Sequence, residues 1–135
     1  VLLDELGSYL TNQGLVGGST GWRLFEGFIP ATPDQVVVLL DAPSGEPREY
    51  AYLLRRPHFQ VLVRGGPRTD GDSLTAARTQ IIAILAALDG LVNTTLGSPG
   101  VYYPYIWAIG GMADATWDVN QRPEFRQNYR CAREA

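Results

Sequence analysis

Ser19 stands in Gly17-Gly18-Ser19-Thr20-Gly21, a letter-for-letter match to G-x-S-x-G. In hydrolases that pattern works because a strand enters the turn and a helix leaves it, holding the serine strained and exposed. Here leucines at helical spacing precede the glycines and an alternating, strand-like segment follows them. The order is reversed, and a glycine loop is the expected reading. With Asp41 and His58 the serine would make up a nominal triad, so a small serine hydrolase using Ser19 is kept as a remote alternative.

Other chemistries meet similar obstacles. A phosphate-binding P-loop uses a lysine to reach the phosphates, and all 11 basic residues of this chain are arginines. Asp70-Gly71-Asp72 hints at calcium, yet the closing glutamate of the twelve-residue calcium loop is missing. His58 is the only histidine and Cys131 the only cysteine, which leaves no set of metal ligands of the usual kind. No metal and no cofactor are expected. Tyr102, Tyr103, Tyr105 and Trp107 could stack nucleic-acid bases, but no arginine lies between Arg78 and Arg122 to neutralise phosphates. The net charge of -3 argues the same way, so packing is the expected role of these rings.

The closing segment is of another kind. Arg126, Asn128 and Arg130 alternate on one side of a strand, with Phe125, Gln127, Tyr129 and Cys131 on the other. Two like charges on one strand face repel unless carboxylates or solvent meet them. Arginine suits planar carboxylate pairing at interfaces. Together with Arg122 and Asp118 these residues form a candidate subunit seam, set against the plain alternative of a solvated strand face.

The elements that would position these residues can be read from periodicity. Leu2, Leu3, Leu6 and Leu10 mark an amphipathic helix ending near Gly14, with Asp4 and Glu5 in its first turn. Strands are expected over 22–29, over 35–41 and over 58–64. The second contains Val36-Val37-Val38-Leu39-Leu40, a β-branched run suited to burial on both faces. Residues 42–57, rich in proline, glycine and charge, suggest a loop with at most a short strand near Tyr50 to Leu54. Asp72 or Ser73 should cap a second helix that runs to about Asp89 and stops at Gly90.

That helix carries Leu74, Ala77, Ile81, Ile84, Leu85 and Leu88 on one side, while Ile82, Ala83, Ala86 and Ala87 leave its C-terminal half almost without a polar side. A helix apolar all round is buried on more than one side. A sheet covers only one, so Ile82, Ala83 and Ala86 are expected to meet a neighbouring subunit. A strand over 101–109 follows, whose Pro104 suggests an edge or bulge. A short strand over 116–119 and a last one over 124–133 complete an α+β domain spanning 1–135, a mostly antiparallel mixed sheet packed by two helices.

Taken in order, several segments resemble the bacteriophage tail terminator and minor capsid family of long-tailed phages. They are Leu24-Phe25-Glu26-Gly27-Phe28-Ile29-Pro30, then Pro33-Asp34 ahead of the valine strand, then Pro57-His58-Phe59-Gln60-Val61-Leu62-Val63-Arg64-Gly65. Asp118 and Arg122-Pro123-Glu124-Phe125-Arg126-Gln127-Asn128-Tyr129 close the series. The stretch from Ala42 to Leu54 carries none of it.

The resemblance implies a non-enzymatic virion protein of the tail–neck region, assembled in the host cytoplasm and without a membrane. It would form a ring, usually a hexamer, that docks on the last ring of tail tube protein, stops polymerisation and meets head-completion proteins. DNA would pass through the lumen without specific binding. Arg48, Arg55, Arg56, Arg68 and Asp70 are then candidates for loops facing the tube or connector. Another neck or tail-tube-like subunit of the same assembly is the sibling alternative.

Overall fold

The computed structural model describes residues 2–49, 54–69, 71–112 and 115–134, and of residues 43–49 the backbone alone. The elements run α1 (Leu2–Asn12), β1 (Arg23–Glu26), β2 (Val36–Glu49), β3 (Leu54–Arg64), α2 (Ser73–Leu88), β4 (Leu91–Leu96), β5 (Val101–Ile109), β6 (Thr116–Trp117) and β7 (Pro123–Glu134). The strands form one sheet in the order β1-β2-β3-β7-β5-β4, with β6 beside the start of β7. Only β1 and β2 run parallel; the other described pairs are antiparallel. The chain is thus α+β with a mostly antiparallel mixed sheet and two helices.

Both helices pack on one face. Strand alternation turns Val37, Leu39, Phe59, Val61, Val63, Phe125, Tyr129 and Cys131 toward the buried leucines of α1 and toward Ala77, Ile81, Ile84 and Leu88 of α2. Helix α1 touches β1 and β2 and also β4, strands at opposite ends of the order, so the sheet curls around it. Close approach depends on glycine at two places. A Cβ on Gly7 would fall 2.9 Å from the Leu24 side chain, and one on Gly65 would fall 2.7 Å from the Ser73 carbonyl at the start of α2.

The other face carries a second, small apolar cluster of Val36, Val38 and Leu62, with Phe25 and Leu40 beside it. No described helix covers these residues; the β1–β2 connection does. Parallel neighbours require the chain to return across the sheet, and here residues 27–35 make that return as irregular backbone. Arg64, two residues along β3 from Leu62 and on the same face, donates from its guanidinium to the carbonyls of Pro30 (2.7 Å), Pro33 (2.6 Å) and Asp34 (2.9 Å). Arg122 adds a bond to the Ala31 carbonyl at 2.8 Å and one to the Asp34 carboxylate at 3.1 Å. Two arginines therefore supply the hydrogen bonds that a helical crossover would have made within itself. Val36 to Leu39 are accordingly buried on both faces.

Three expectations need correction. Residues 42–57 are not mainly loop: β2 extends to Glu49 and β3 begins at Leu54, the two pairing through register shifts near Ala42, Glu46 and Glu49. Because β1 pairs only with Val36–Leu39, one edge of β2 is open beyond that point, and open edges tolerate proline. The strand β4 over 91–96 escaped notice because Asn93, at φ 50°, breaks its alternation. Pro104 does not mark an edge strand, since β5 lies between β4 and β7. The proline stands one residue beyond Tyr105, where described pairing with β7 stops, and faces the Asn93 irregularity of β4.

Candidate functional site

Beyond the crossover, the helix-free face of the sheet is open. Gln60 of β3 donates to Asn128 of β7 at 2.9 Å, and Arg126 donates to the other end of the Gln60 amide at 3.1 Å. Arg126 also lies 3.6 Å from the Glu124 carboxylate and stays 43% exposed. Next along the strand, the Arg130 guanidinium sits 5.6 Å from the centre of the Trp107 ring, and Trp107 stacks on Tyr105 at 4.3 Å. Leu40, Ala42 and Ile109, rimmed by Gln60, Asn128, His58 and Asp41, line a shallow groove of about 450 Å³. Trp107 and Ile109 keep 44% and 37% of their surface exposed. The face is a basic, amide-laddered surface with an aromatic centre, carried on the same strands that build the core.

The expected partition of β7 holds: Arg126 and Asn128 point outward, Arg130 is half-buried, and Phe125, Gln127, Tyr129 and Cys131 are buried. Arg122 and Asp118 are not on that open face. Arg122 is buried, and its Nε donates to Asp118 at 2.7 Å while the backbone N–H of Arg122 donates to the other oxygen at 2.8 Å. Burial raises the Asp118 carboxyl, but these bonds outweigh it and hold the group below the usual carboxylate range. The donors of Arg122 serve the crossover and its own turn within the subunit.

On the helix layer, Ile82 is 47% exposed and Ala86 is exposed, while Ala83 is half-buried. The outward flank of α2 continues through Asp72, Thr75, Ala76, Arg78 and Thr79, all exposed. Of the loop candidates, Arg55, exposed, and Arg56, half-buried, stand not in a loop but on β3, and the backbone of Arg48 belongs to β2, because the two strands pair on past Ala42. Arg68 is exposed and stacks 5.4 Å from the Trp117 ring centre. Asp70 and the Arg48 side chain lie outside the described residues.

Two ion clusters carry no signal in the sequence. Glu5 of α1 accepts three bonds from the Arg133 guanidinium, at 2.8, 2.9 and 3.2 Å, and one from the Tyr103 hydroxyl. Burial raises the Glu5 carboxyl, yet Tyr103 and Arg133 outweigh it and leave it below its ordinary value. Glu26 of β1 behaves oppositely: burial, then the hydrogen bond and charge of Asp4, push it up to about 7. No periodicity announces such pairs, because their members lie far apart along the chain.

Ser19 sits exposed in a loop that leaves α1 and enters β1, with Gly17 and Gly18 at positive φ, the reverse of a nucleophile elbow. His58 faces the open side of the sheet beside Gln60. Cys131 is buried, and burial pushes its thiol up to about 12. No described helix is long and apolar enough to cross a membrane.

Comparison with known proteins bears on the family of the chain. A family model described as bacteriophage tail terminator protein matches residues 9–134. The chain belongs to that family. It is a structural protein of the phage tail. A search of curated proteins returns no match. One solved structure is similar over 80% of this chain and 77% of its own length, at 17% identity and a TM-score of 0.48, too distant to carry an argument.

Proposed function

We propose that the chain is a ring-forming subunit that caps the tail tube, stops its polymerisation and joins the tail to head-completion proteins. Membership of the family supports the place in the tail. The ring rests on one observation above all, the outward flank of α2: beyond Arg78 its C-terminal half, with Ile82 and Ala86 exposed and Ala83 half-buried, carries no charge before Asp89. A surface helix that remained in solvent would carry polar and charged residues there. Six copies are the number the family resemblance suggests, with the neighbour burying Ile82 and Ala86 and the arginines of β7 lying at the seam. A chain of net charge -3 also suits a conduit through which DNA must slide, since a basic lining would hold the phosphates.

The test has two parts. Purified protein, alone or with tube protein, is weighed in solution, and the expected species is a closed oligomer several times the 14.8 kDa subunit. Tails assembled without this protein are then viewed by electron microscopy, where tubes of uncontrolled length without heads are expected. Tubes of normal length joined to heads would overturn the proposal.

A further inference from the structure

We infer that the two open surfaces are mates: the outward flank of α2 in one copy sits on the helix-free sheet face of the next. The inference rests on the assembly reading above and names the contact within it.

Four observations converge on this pairing. The surfaces lie on opposite sides of the subunit, because α2 packs its other side on the helix-covered face of the sheet. They therefore cannot meet within one chain, and a contact between them is heterologous, the kind that closes into a ring when each copy is rotated against the last. Each surface is apolar at its centre. The helix offers Ile82 and Ala86, and the sheet offers Trp107, Ile109 and the groove of Leu40 and Ala42. Their shapes agree, because Thr75, Ala76, Thr79, Ala83 and Ala86 project little and let a helix lie close to a sheet.

Their charges are complementary as well. On the open part of the sheet face Arg126 is exposed and Arg130 half-buried, with Asp41 at the groove rim, Glu124 largely buried beside Arg126, Arg56 half-buried on β3 and Glu134 exposed at the end of β7. On the helix layer Asp72 and Asp89 stand exposed at the two ends of the α2 flank, and Asp4 is exposed on α1. The one arginine of α2, Arg78, is exposed one turn before Ile82, with its guanidinium 5.7 Å from the Phe125 ring centre. A second copy thus presents acidic ends and an apolar middle to a basic rim and an apolar middle. Packing two sheet faces together would set arginine against arginine, and packing two α2 flanks together would set aspartate against aspartate; both are disfavoured. The occupant is therefore a second copy of this chain, presented helix-first.

Disulfide trapping in the assembled protein tests the contact. Two single variants, Ala86→Cys and Asn128→Cys, are prepared, with the double variant; the native Cys131 is buried and does not compete. Under mild oxidation the double variant should give a ladder of linked multimers, a mixture of the singles should give linked dimers, and either single variant alone should give neither. Cross-linking of Ala86→Cys with itself, or of Asn128→Cys with itself, would overturn the inference in favour of like-on-like packing. A closed oligomer of correct mass with no 86–128 link would overturn it while leaving the assembly proposal standing. A wild-type chain that stays monomeric alone and with tube protein would overturn both.

Discussion

Arg64 gives the sharpest test of how this fold holds its crossover. Its guanidinium makes three bonds of 2.6–2.9 Å to the carbonyls of Pro30, Pro33 and Asp34, and the residue is 2% exposed. A hydrogen bond from a charged donor contributes about 1.5–3 kcal/mol net. Three would sum to more than about 4 kcal/mol, but taking a guanidinium out of water costs several kcal/mol in return. Burial and the nearby Arg122 both lower its pKa, the direction such a cost implies. The expected loss for Arg64→Ala is therefore about 3 kcal/mol, from carbonyls left without a donor and from the lost stem over Leu62. Arg64→Lys keeps the charge and the stem, but one ammonium cannot span three carbonyls, so about half that loss is expected.

Urea unfolding followed by tryptophan fluorescence measures both. With m near 2 kcal/mol/M, the midpoint should fall by roughly 1.5 M for the alanine variant and by about half as much for lysine. Limited proteolysis adds a local readout: residues 27–35 should become cleavable in Arg64→Lys while α2 stays protected. Lysine behaving as wild type, or an alanine loss below about 1 kcal/mol, would refute the claim that this side chain substitutes for a helical crossover.

Further outcomes follow from the other clusters. The Glu5 carboxyl is depressed in the folded chain, so its contribution is present above the ordinary value of 4.5 and is lost as pH falls through the folded value; Glu5→Gln should flatten the acid limb of the stability profile. Glu26 has the opposite sign. Its folded value is raised from 4.5 to about 7, so its contribution is present below pH 4.5 and lost as pH rises toward 7, and Glu26→Gln should abolish that decline. Ile82→Asp should leave the subunit folded, since Ile82 is 47% exposed there, but prevent assembly by burying an unpaired charge at the contact; circular dichroism and solution mass check the two halves. Ser19→Ala should assemble tails at the wild-type yield, and the loss of a measurable hydrolytic activity in that variant would contradict a purely structural role.

What the sequence by itself determined was whatever repeats along the chain. The leucine stripe of α1, the double-sided valine run of β2, the start and stop of α2 at Ser73 and Leu88, and the in-and-out alternation of β7 are local periodicities, and each appears where its residues dictate. The apolar C-terminal half of α2 was equally legible, because an apolar residue on every side of a helix needs no fold to show. The tertiary structure alone decided which side of the sheet the crossover takes, and with it the fate of Arg64 and Arg122. Those arginines look like surface charges until the chain from 27 to 35 returns across the open face and offers them its carbonyls.

Tertiary pairing also separated Arg122 from Arg126 and Arg130, which stand close along the chain but serve different purposes. Proline and glycine in 42–57 misled for a related reason. They break a ladder only where a neighbouring strand would take the bond, and beyond Leu39 one side of β2 has no such neighbour among the described strands.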